Sequence, residues 1–131
     1  MARAGQTRVL IVDDDPDFAE ATKTLLESKK YKVLTASNGD DGVKKAKLEK
    51  PDMIVLDVIM PGKDGFAVSR ELKAAKETAK IPILLLTSYY TTKDQSGVAV
   101  SGGMAAEAED YVDKPVEPKE LVKRIEKLLK R

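Results

Sequence analysis

The sequence predicts an α/β fold, a doubly wound five-stranded parallel sheet with helices packed around it. Short, almost wholly apolar segments alternate with segments whose apolar residues recur every three or four positions, which is typical of buried parallel strands joined by amphipathic helices. A chain of 131 residues is long enough for one domain, with a core over about residues 8–129, and short for two. Right-handed crossovers then favour the strand order 2-1-3-4-5, one of two common orders for such sheets.

The elements follow in order along the chain. The predicted strands are 8–12, 31–35, 53–56, 81–86 and 111–112. The first helix starts at Asp15-Pro16, an N-cap followed by a proline at the first helical position, and ends near Ser28. Asn38-Gly39 indicates a turn, and a short second helix ends before Pro51.

The later helices are less uniform. A third helix spans Phe66 to Lys76, and a final helix begins at Pro118 with an apolar stripe of leucine and isoleucine. Between residues 88 and 110 three glycines interrupt the expected fourth helix, so we expect this region to be irregular.

Composition excludes several kinds of chemistry. The chain has no cysteine and no histidine, which removes thiol nucleophiles, imidazole bases and most zinc sites. Lysine and arginine number 23 against 22 acidic residues, so the net charge of +1 gives no overall attraction to nucleic acid or membrane. Residues 1–7 show no signal-peptide pattern, and we expect a cytoplasmic protein with no membrane association.

Residues able to take part in phosphoryl chemistry stand at the ends of four predicted strands. Asp13-Asp14 follow the first strand and Asp57 the third, while Thr87 and Lys114 follow the fourth and fifth. Each residue alone is adequately explained as a helix cap or a solvated loop residue. Because open α/β sheets bind ligands at the carboxyl ends of their strands, their joint placement instead predicts one site.

The predicted site has the chemistry of a cation-dependent phosphoryl acceptor. Three carboxylates at 4 Å would repel one another by about 4 kcal/mol per pair at an effective dielectric constant near 20. With Lys114 the formal charge is minus two, which one divalent ion would balance, and all-oxygen ligands favour Mg²⁺. Asp57 is then a competent nucleophile for forming an aspartyl phosphate, with Thr87 and Lys114 facing the phosphoryl oxygens.

These motifs resemble the receiver domain of bacterial response regulators, the flavodoxin/CheY-like fold, from Arg8 to Leu129. The resemblance lies in Val-Asp-Asp-Asp-Pro at 12–16, Leu-Asp-Val-Ile-Met-Pro-Gly-Lys-Asp-Gly at 56–65, Thr87 and Asp-Lys-Pro at 113–115. It implies a signalling phosphoacceptor that catalyses only its own phosphorylation and dephosphorylation.

The resemblance also implies roles for individual residues. Asp57 would be the phosphoacceptor, assisted by Thr87 and Lys114. Mg²⁺ would be held by Asp14, Asp57 and the Ile59 carbonyl, with Asp13 acting largely through water. Thr87 and Tyr111 would be the switch pair, and a cis peptide would join Lys114 to Pro115. The expected phosphate-neighbouring residues are Ile59, Ser88, Tyr89 and Lys114.

Partners follow from the same resemblance. We expect a sensor histidine kinase or phosphotransfer protein as phosphodonor, and a downstream protein or second copy of the chain on the face formed by helix 4, strand 5 and helix 5. Of the properties that the resemblance implies, those of this face carry over to this chain least, because the segment from Thr87 to Lys114 is longer than usual and Glu107 stands where the family commonly has a glycine. The basic final helix is most simply a solvated face, and no direct nucleic acid binding is expected. Bulky groups at Ile59 and Tyr89 would slow attack by water on the phosphoryl group.

Two other functions compete with this interpretation. A phosphatase resembling the haloacid dehalogenase class would use Asp13-x-Asp15 as its two-aspartate motif, although Asp57 would then have no role. A receiver-like scaffold would bind partners regardless of phosphorylation.

Overall fold

The computed structural model describes residues 6–60, 62–88 and 108–130, and five parallel strands in them form one sheet. The strands are β1 (Arg8–Val12), β2 (Lys32–Ala36), β3 (Met53–Asp57), β4 (Ile83–Ser88) and β5 (Asp110–Lys114). The helices are α1 (Pro16–Ser28), α2 (Gly39–Glu49), α3 (Gly65–Ala74) and a C-terminal helix (Pro118–Leu129). The order β2-β1-β3-β4-β5 confirms the predicted topology and makes β1 and β3 neighbours. The expected fourth helix, with Tyr89 and Glu107, lies outside the described residues.

Each face of the sheet carries its own layer of helices. Ile11 and Val55 belong to a buried cluster with α1 and the C-terminal helix, whereas Leu10 and Ile54 belong to one with α2 and α3. Strand side chains alternate between faces, so both sets must be apolar for the sheet to be covered on both sides. Every residue of β3 is buried, which explains why this segment is so continuously apolar.

Several boundaries differ from the sequence-based expectation: β4 is Ile83–Ser88 rather than 81–86, β5 is Asp110–Lys114 rather than 111–112, and α3 is Gly65–Ala74 rather than Phe66 to Lys76. Two further differences concern β2 and α2. Strand β2 begins at Lys32, because Tyr31 stays outside it, packs against the core and donates a hydrogen bond from its hydroxyl to Glu126 at 3.2 Å. Asn38-Gly39 is a helix start rather than a turn, since the Asn38 side chain caps α2 by accepting from the Asp41 N–H at 2.9 Å.

Two ion pairs hold the start of β5 against its neighbours. Lys73, in the last turn of α3, bonds Glu109 at 2.8 Å, and Glu109 in turn accepts from the Ile83 N–H at 2.7 Å. Arg124 of the C-terminal helix donates hydrogen bonds to both carboxylate oxygens of Asp110, at 2.8 and 2.9 Å. These contacts support the register that places the end of β5 beside the end of β4. No helix in the described ranges has the length and apolar character needed to cross a bilayer.

Candidate functional site

An acidic pocket lies where β1 and β3 end. One carboxylate oxygen each from Asp13, Asp14 and Asp57 lies within 4.8 Å of the others. Asp13 and Asp57 are only 3% and 4% exposed, whereas Asp14 is open to solvent. The structure therefore brings together the three acids that the sequence suggested, with one side of the cluster accessible.

The end of β5 supplies the cation that faces this pocket. The Lys114 Nζ lies 3.3 Å from an Asp57 oxygen and 3.4 Å from an Asp13 oxygen. It also lies 5.2 Å from the centroid of the Phe18 ring, within cation–π range. The peptide bond from Lys114 to Pro115 is cis, as the resemblance implied. One lysine thus spans two of the three carboxylates.

The charges of the pocket are unbalanced. Burial and the neighbouring charge of Asp13 raise the pKa of Asp57 to about 6, although Lys114 and an N–H hydrogen bond from Ile59 act in the opposite direction. Burial alone would lower the pKa of Lys114, but the charges of Asp13 and Asp57 and the hydrogen bonds to them raise it above its usual value. The lysine is accordingly cationic at neutral pH, and the acids retain an excess negative charge.

Local hydrogen bonds position the first acid. Asp13 accepts from the Asp15 N–H at 2.9 Å through one oxygen, and the other faces Lys114. Asp15 is committed elsewhere, because its side chain caps α1 by accepting from the N–H groups of Asp17 and Phe18. Helix capping is therefore the correct interpretation of Asp15, and Asp13 belongs to the pocket.

The loop after β3 is packed tightly against the pocket. A Cβ on Gly65 would lie 2.3 Å from the Asp57 carbonyl oxygen and 2.7 Å from the Val58 Cα, so only glycine permits this approach of α3 to the strand end. Lys63 joins the loop to both neighbouring helices through Asp40 at 3.1 Å and Glu71 at 2.6 Å. The side chain of Ile59, on the same loop, is 56% exposed.

Strand β4 brings the predicted hydroxyl to the same edge. Thr87 is buried and its Oγ1 donates a hydrogen bond to Asp113 at 2.8 Å, across the register of β4 and β5. Ser88 is the last residue of β4. Tyr111 is half-buried and packs against the cluster on the α2 and α3 face. Tyr89 lies outside the described residues.

Three residues at this site were not predicted to have a role there. Phe18 lies under Lys114 and was not singled out, whereas Gly65 and Asp113 appeared only as members of the motifs at 56–65 and 113–115. Of these, Asp113 could most readily have been predicted to lie near the end of β4 from the strand order, but only the register of β4 and β5 pairs it with Thr87.

The donor set suits a hard divalent cation. Three carboxylates could each offer an oxygen ligand, and no thiol or imidazole occurs in the chain. Mg²⁺ is typically bound by one or two carboxylates with waters retained, and such an arrangement can also receive phosphate oxygens. A phosphoryl-handling site at the carboxyl edge of a doubly wound sheet is the class that fold and pocket define together.

A profile of the response regulator receiver domain family matches residues 9–126, and the chain belongs to this family. Two curated relatives show the range of its members. Protein PilH of Pseudomonas aeruginosa is 42% identical over 122 residues, covering 93% of this chain and 97% of PilH. The alkaline phosphatase synthesis transcriptional regulatory protein PhoP of Bacillus subtilis is 40% identical over 124 residues, which are 95% of this chain but 49% of PhoP.

Solved structures agree with this membership. The crystal structure of the signal receiver domain of a signal transduction histidine kinase from Syntrophus aciditrophicus superposes with a TM-score of 0.82 at 35% identity, covering 95% of this chain and 90% of that one. The chain is therefore a CheY-like two-component receiver. It spans about half the length of several curated regulators and nearly all of PilH.

Proposed function

We propose that this chain accepts a phosphoryl group on Asp57 and uses it to change the affinity of a distal surface for a partner. The observation that carries the proposal is the cluster of Asp13, Asp14 and Asp57 within 4.8 Å, with the Lys114 Nζ 3.3 Å from Asp57. A buried carboxylate flanked by acids and one amine is a costly arrangement unless an incoming cation and phosphoryl group use it.

Asp57 has the environment of a nucleophile. It lies at the end of a fully buried strand, and with a pKa of about 6 it is mostly ionised at neutral pH. An oxygen of Asp57 attacks phosphorus while the bond from phosphorus to the donor nitrogen or oxygen breaks. The departing atom keeps the electron pair, so a histidine donor whose other ring nitrogen carries a proton leaves as the neutral ring, and acetyl phosphate leaves as acetate.

The other residues stabilise the transferring group. Lys114 carries a positive charge toward the phosphoryl oxygens, and Thr87 offers them a hydroxyl. Asp13, Asp14, Asp57 and the backbone carbonyl of Ile59 would hold Mg²⁺, which supplies further neutralisation of phosphoryl charge when bound. Phosphorylation would then change the conformations of Thr87 and Tyr111, the proposed switch pair. Ser88 and Tyr89 are the residues that we propose as neighbours of the phosphate.

Partner choice follows from this role. We expect a histidine kinase or phosphotransfer protein as the donor, and a downstream protein or a second copy of the chain on the face that includes β5 and the C-terminal helix. PhoP is a transcriptional regulatory protein, and this chain matches about half of it. The match therefore does not specify which domain or protein receives the signal. We propose a cytoplasmic location and no direct contact with nucleic acid.

The two alternative functions, a phosphatase and a scaffold, require different roles for the clustered aspartates. A phosphatase with Asp13 as nucleophile would also use Asp15, whose carboxylate caps α1 in this structure. A scaffold would not need the acids to converge. The observed geometry therefore favours the receiver mechanism.

The test is labelling by radioactive acetyl phosphate with Mg²⁺, using Asp57→Asn and Asp13→Asn, and the exposed Asp17→Asn as a matched control. The proposal expects label in the wild type and in Asp17→Asn, and none in Asp57→Asn. Loss of label only in Asp13→Asn would support the phosphatase, and no label in the wild type would support the scaffold.

A further inference from the structure

The hydroxyl of Thr87 already has a strong acceptor. Its Oγ1 donates to the Asp113 carboxylate at 2.8 Å, and Thr87 is only 1% exposed. The two residues are register partners in adjacent parallel strands, so the contact is set by the sheet itself. A buried hydroxyl bonded to a charged acceptor is not easily withdrawn without a replacement.

Among the residues that the structure describes, the Asp113 carboxylate is in no ion pair. Across residues 6–60, 62–88 and 108–130, no lysine or arginine forms an ion pair with this carboxylate, although its neighbours Asp110 and Lys114 are both paired. Asp113 is itself exposed to solvent. Its defined contact in the described structure is therefore the hydroxyl of Thr87 rather than a structural ion pair.

We infer that Asp113 is a positioning residue that holds the Thr87 hydroxyl away from the phosphoryl site in the resting protein. The inference rests on the proposed function, in which the same hydroxyl donates to phosphoryl oxygens. A threonine hydroxyl carries one hydrogen and cannot donate fully to both acceptors. Asp113 and the phosphoryl group thus compete for Thr87, and Asp113 raises the free energy needed to reach the switched state.

Equilibrium binding of beryllofluoride, a phosphoryl mimic that attaches to a carboxylate, tests this competition with Mg²⁺ present. Asp113→Ala removes the competing acceptor and is expected to tighten binding about five-fold, equivalent to roughly 1 kcal/mol. Asp113→Asn is the matched control, because it removes the charge but keeps an acceptor oxygen for Thr87. It is expected to show a clearly smaller gain than the alanine variant.

The same measurements in a Thr87→Ala background identify the route of the effect. The gain from Asp113→Ala should disappear there, because no hydroxyl is left to release. An unchanged or weaker affinity in Asp113→Ala overturns the inference. It is equally overturned if the gain persists without Thr87, or if Asp113→Asn matches the alanine variant, since either result indicates a general charge effect.

A second measurement does not depend on the mimic. Urea unfolding of the wild type, the two alanine variants and the double variant should reveal coupling between Thr87 and Asp113 in the resting protein. If the effects of the two substitutions on the free energy of unfolding simply add, the contact between Thr87 and Asp113 does not stabilise the resting protein, and the inference is refuted. If the wild type binds no beryllofluoride at all, the proposed function fails, whereas a wild type that binds while Asp113→Ala is unchanged refutes only this inference.

Discussion

Replacing Asp57 by asparagine is expected to stabilise the ion-free protein at neutral pH, although it removes the proposed phosphoacceptor. Burial and the charge of Asp13 raise the pKa of Asp57 from 3.8 to about 6, so ionisation of this group opposes folding. At 1.36 kcal/mol per pH unit, the raised pKa corresponds to an upper value of roughly 3 kcal/mol. Because asparagine keeps an oxygen for Lys114 but loses its attraction to the amine, we expect a gain of about 1–3 kcal/mol at pH 7.5.

The pH dependence has a defined sign. Below pH 3.8 the Asp57 carboxyl is protonated in the folded and unfolded states alike and contributes nothing. Between that value and about 6 the unfolded state releases the proton while the folded state retains it, so Asp57 increasingly destabilises the folded protein as the pH rises. The advantage of Asp57→Asn should therefore grow through this window and then level off.

Urea unfolding at several pH values with a chelator present measures the difference between wild type and Asp57→Asn. The exposed Glu27→Gln provides the control, because it removes a carboxylate of α1 that lies outside the pocket. A difference that is flat with pH, or an asparagine variant less stable than the wild type at pH 7.5, would refute the argument from repulsion. Addition of Mg²⁺ should reverse the order by stabilising the wild type selectively.

Three further predictions concern residues around the pocket. Gly65→Ala should cost about 1–3 kcal/mol in urea unfolding, because its Cβ would meet the Asp57 carbonyl oxygen at 2.3 Å, and an unchanged midpoint would contradict that close approach. Lys114→Gln should bind Mg²⁺ roughly three- to ten-fold more tightly in calorimetry, because a cation 3.3 Å from Asp57 is removed, yet be labelled more slowly by acetyl phosphate. Weaker Mg²⁺ binding by that variant would exclude electrostatic competition between lysine and metal. The exposed apolar side chain of Ile59 should slow hydrolysis of the acyl phosphate to minutes or longer, with Ile59→Asn shortening the lifetime, and a wild-type lifetime of seconds would be incompatible with this role.

The topology and the acid cluster were accessible from the sequence because their determinants are local. Apolar runs such as Met53 to Leu56 end at polar residues, and parallel order then places those ends on one edge of the sheet. Asp13 and Asp57 meet for that reason alone. The predicted strand order likewise places Lys114 at the same edge of the sheet, and its side chain reaches Asp57 at 3.3 Å past the intervening strand β4.

Features that depend on distant contacts were not accessible in the same way. The Tyr31 hydroxyl donates a hydrogen bond to Glu126, 95 residues later, a contact that no local pattern indicates. Asn38 is a local case, because asparagine favours both turns and helix caps, and only its side-chain bond to the Asp41 N–H three residues later distinguishes the two. The bond from Thr87 to Asp113 requires the exact register of β4 and β5, which residue patterns do not determine.

Phosphorylation of Asp57 is tested most directly by trapping the acyl phosphate with borohydride and mapping the peptides by mass spectrometry. The reagent reduces a phosphorylated aspartate to homoserine and leaves free carboxylates intact. After treatment with acetyl phosphate and Mg²⁺, we expect homoserine at position 57, and none when a chelator replaces the metal. Homoserine at position 13, or at no position while Mg²⁺ is bound, would contradict the proposal.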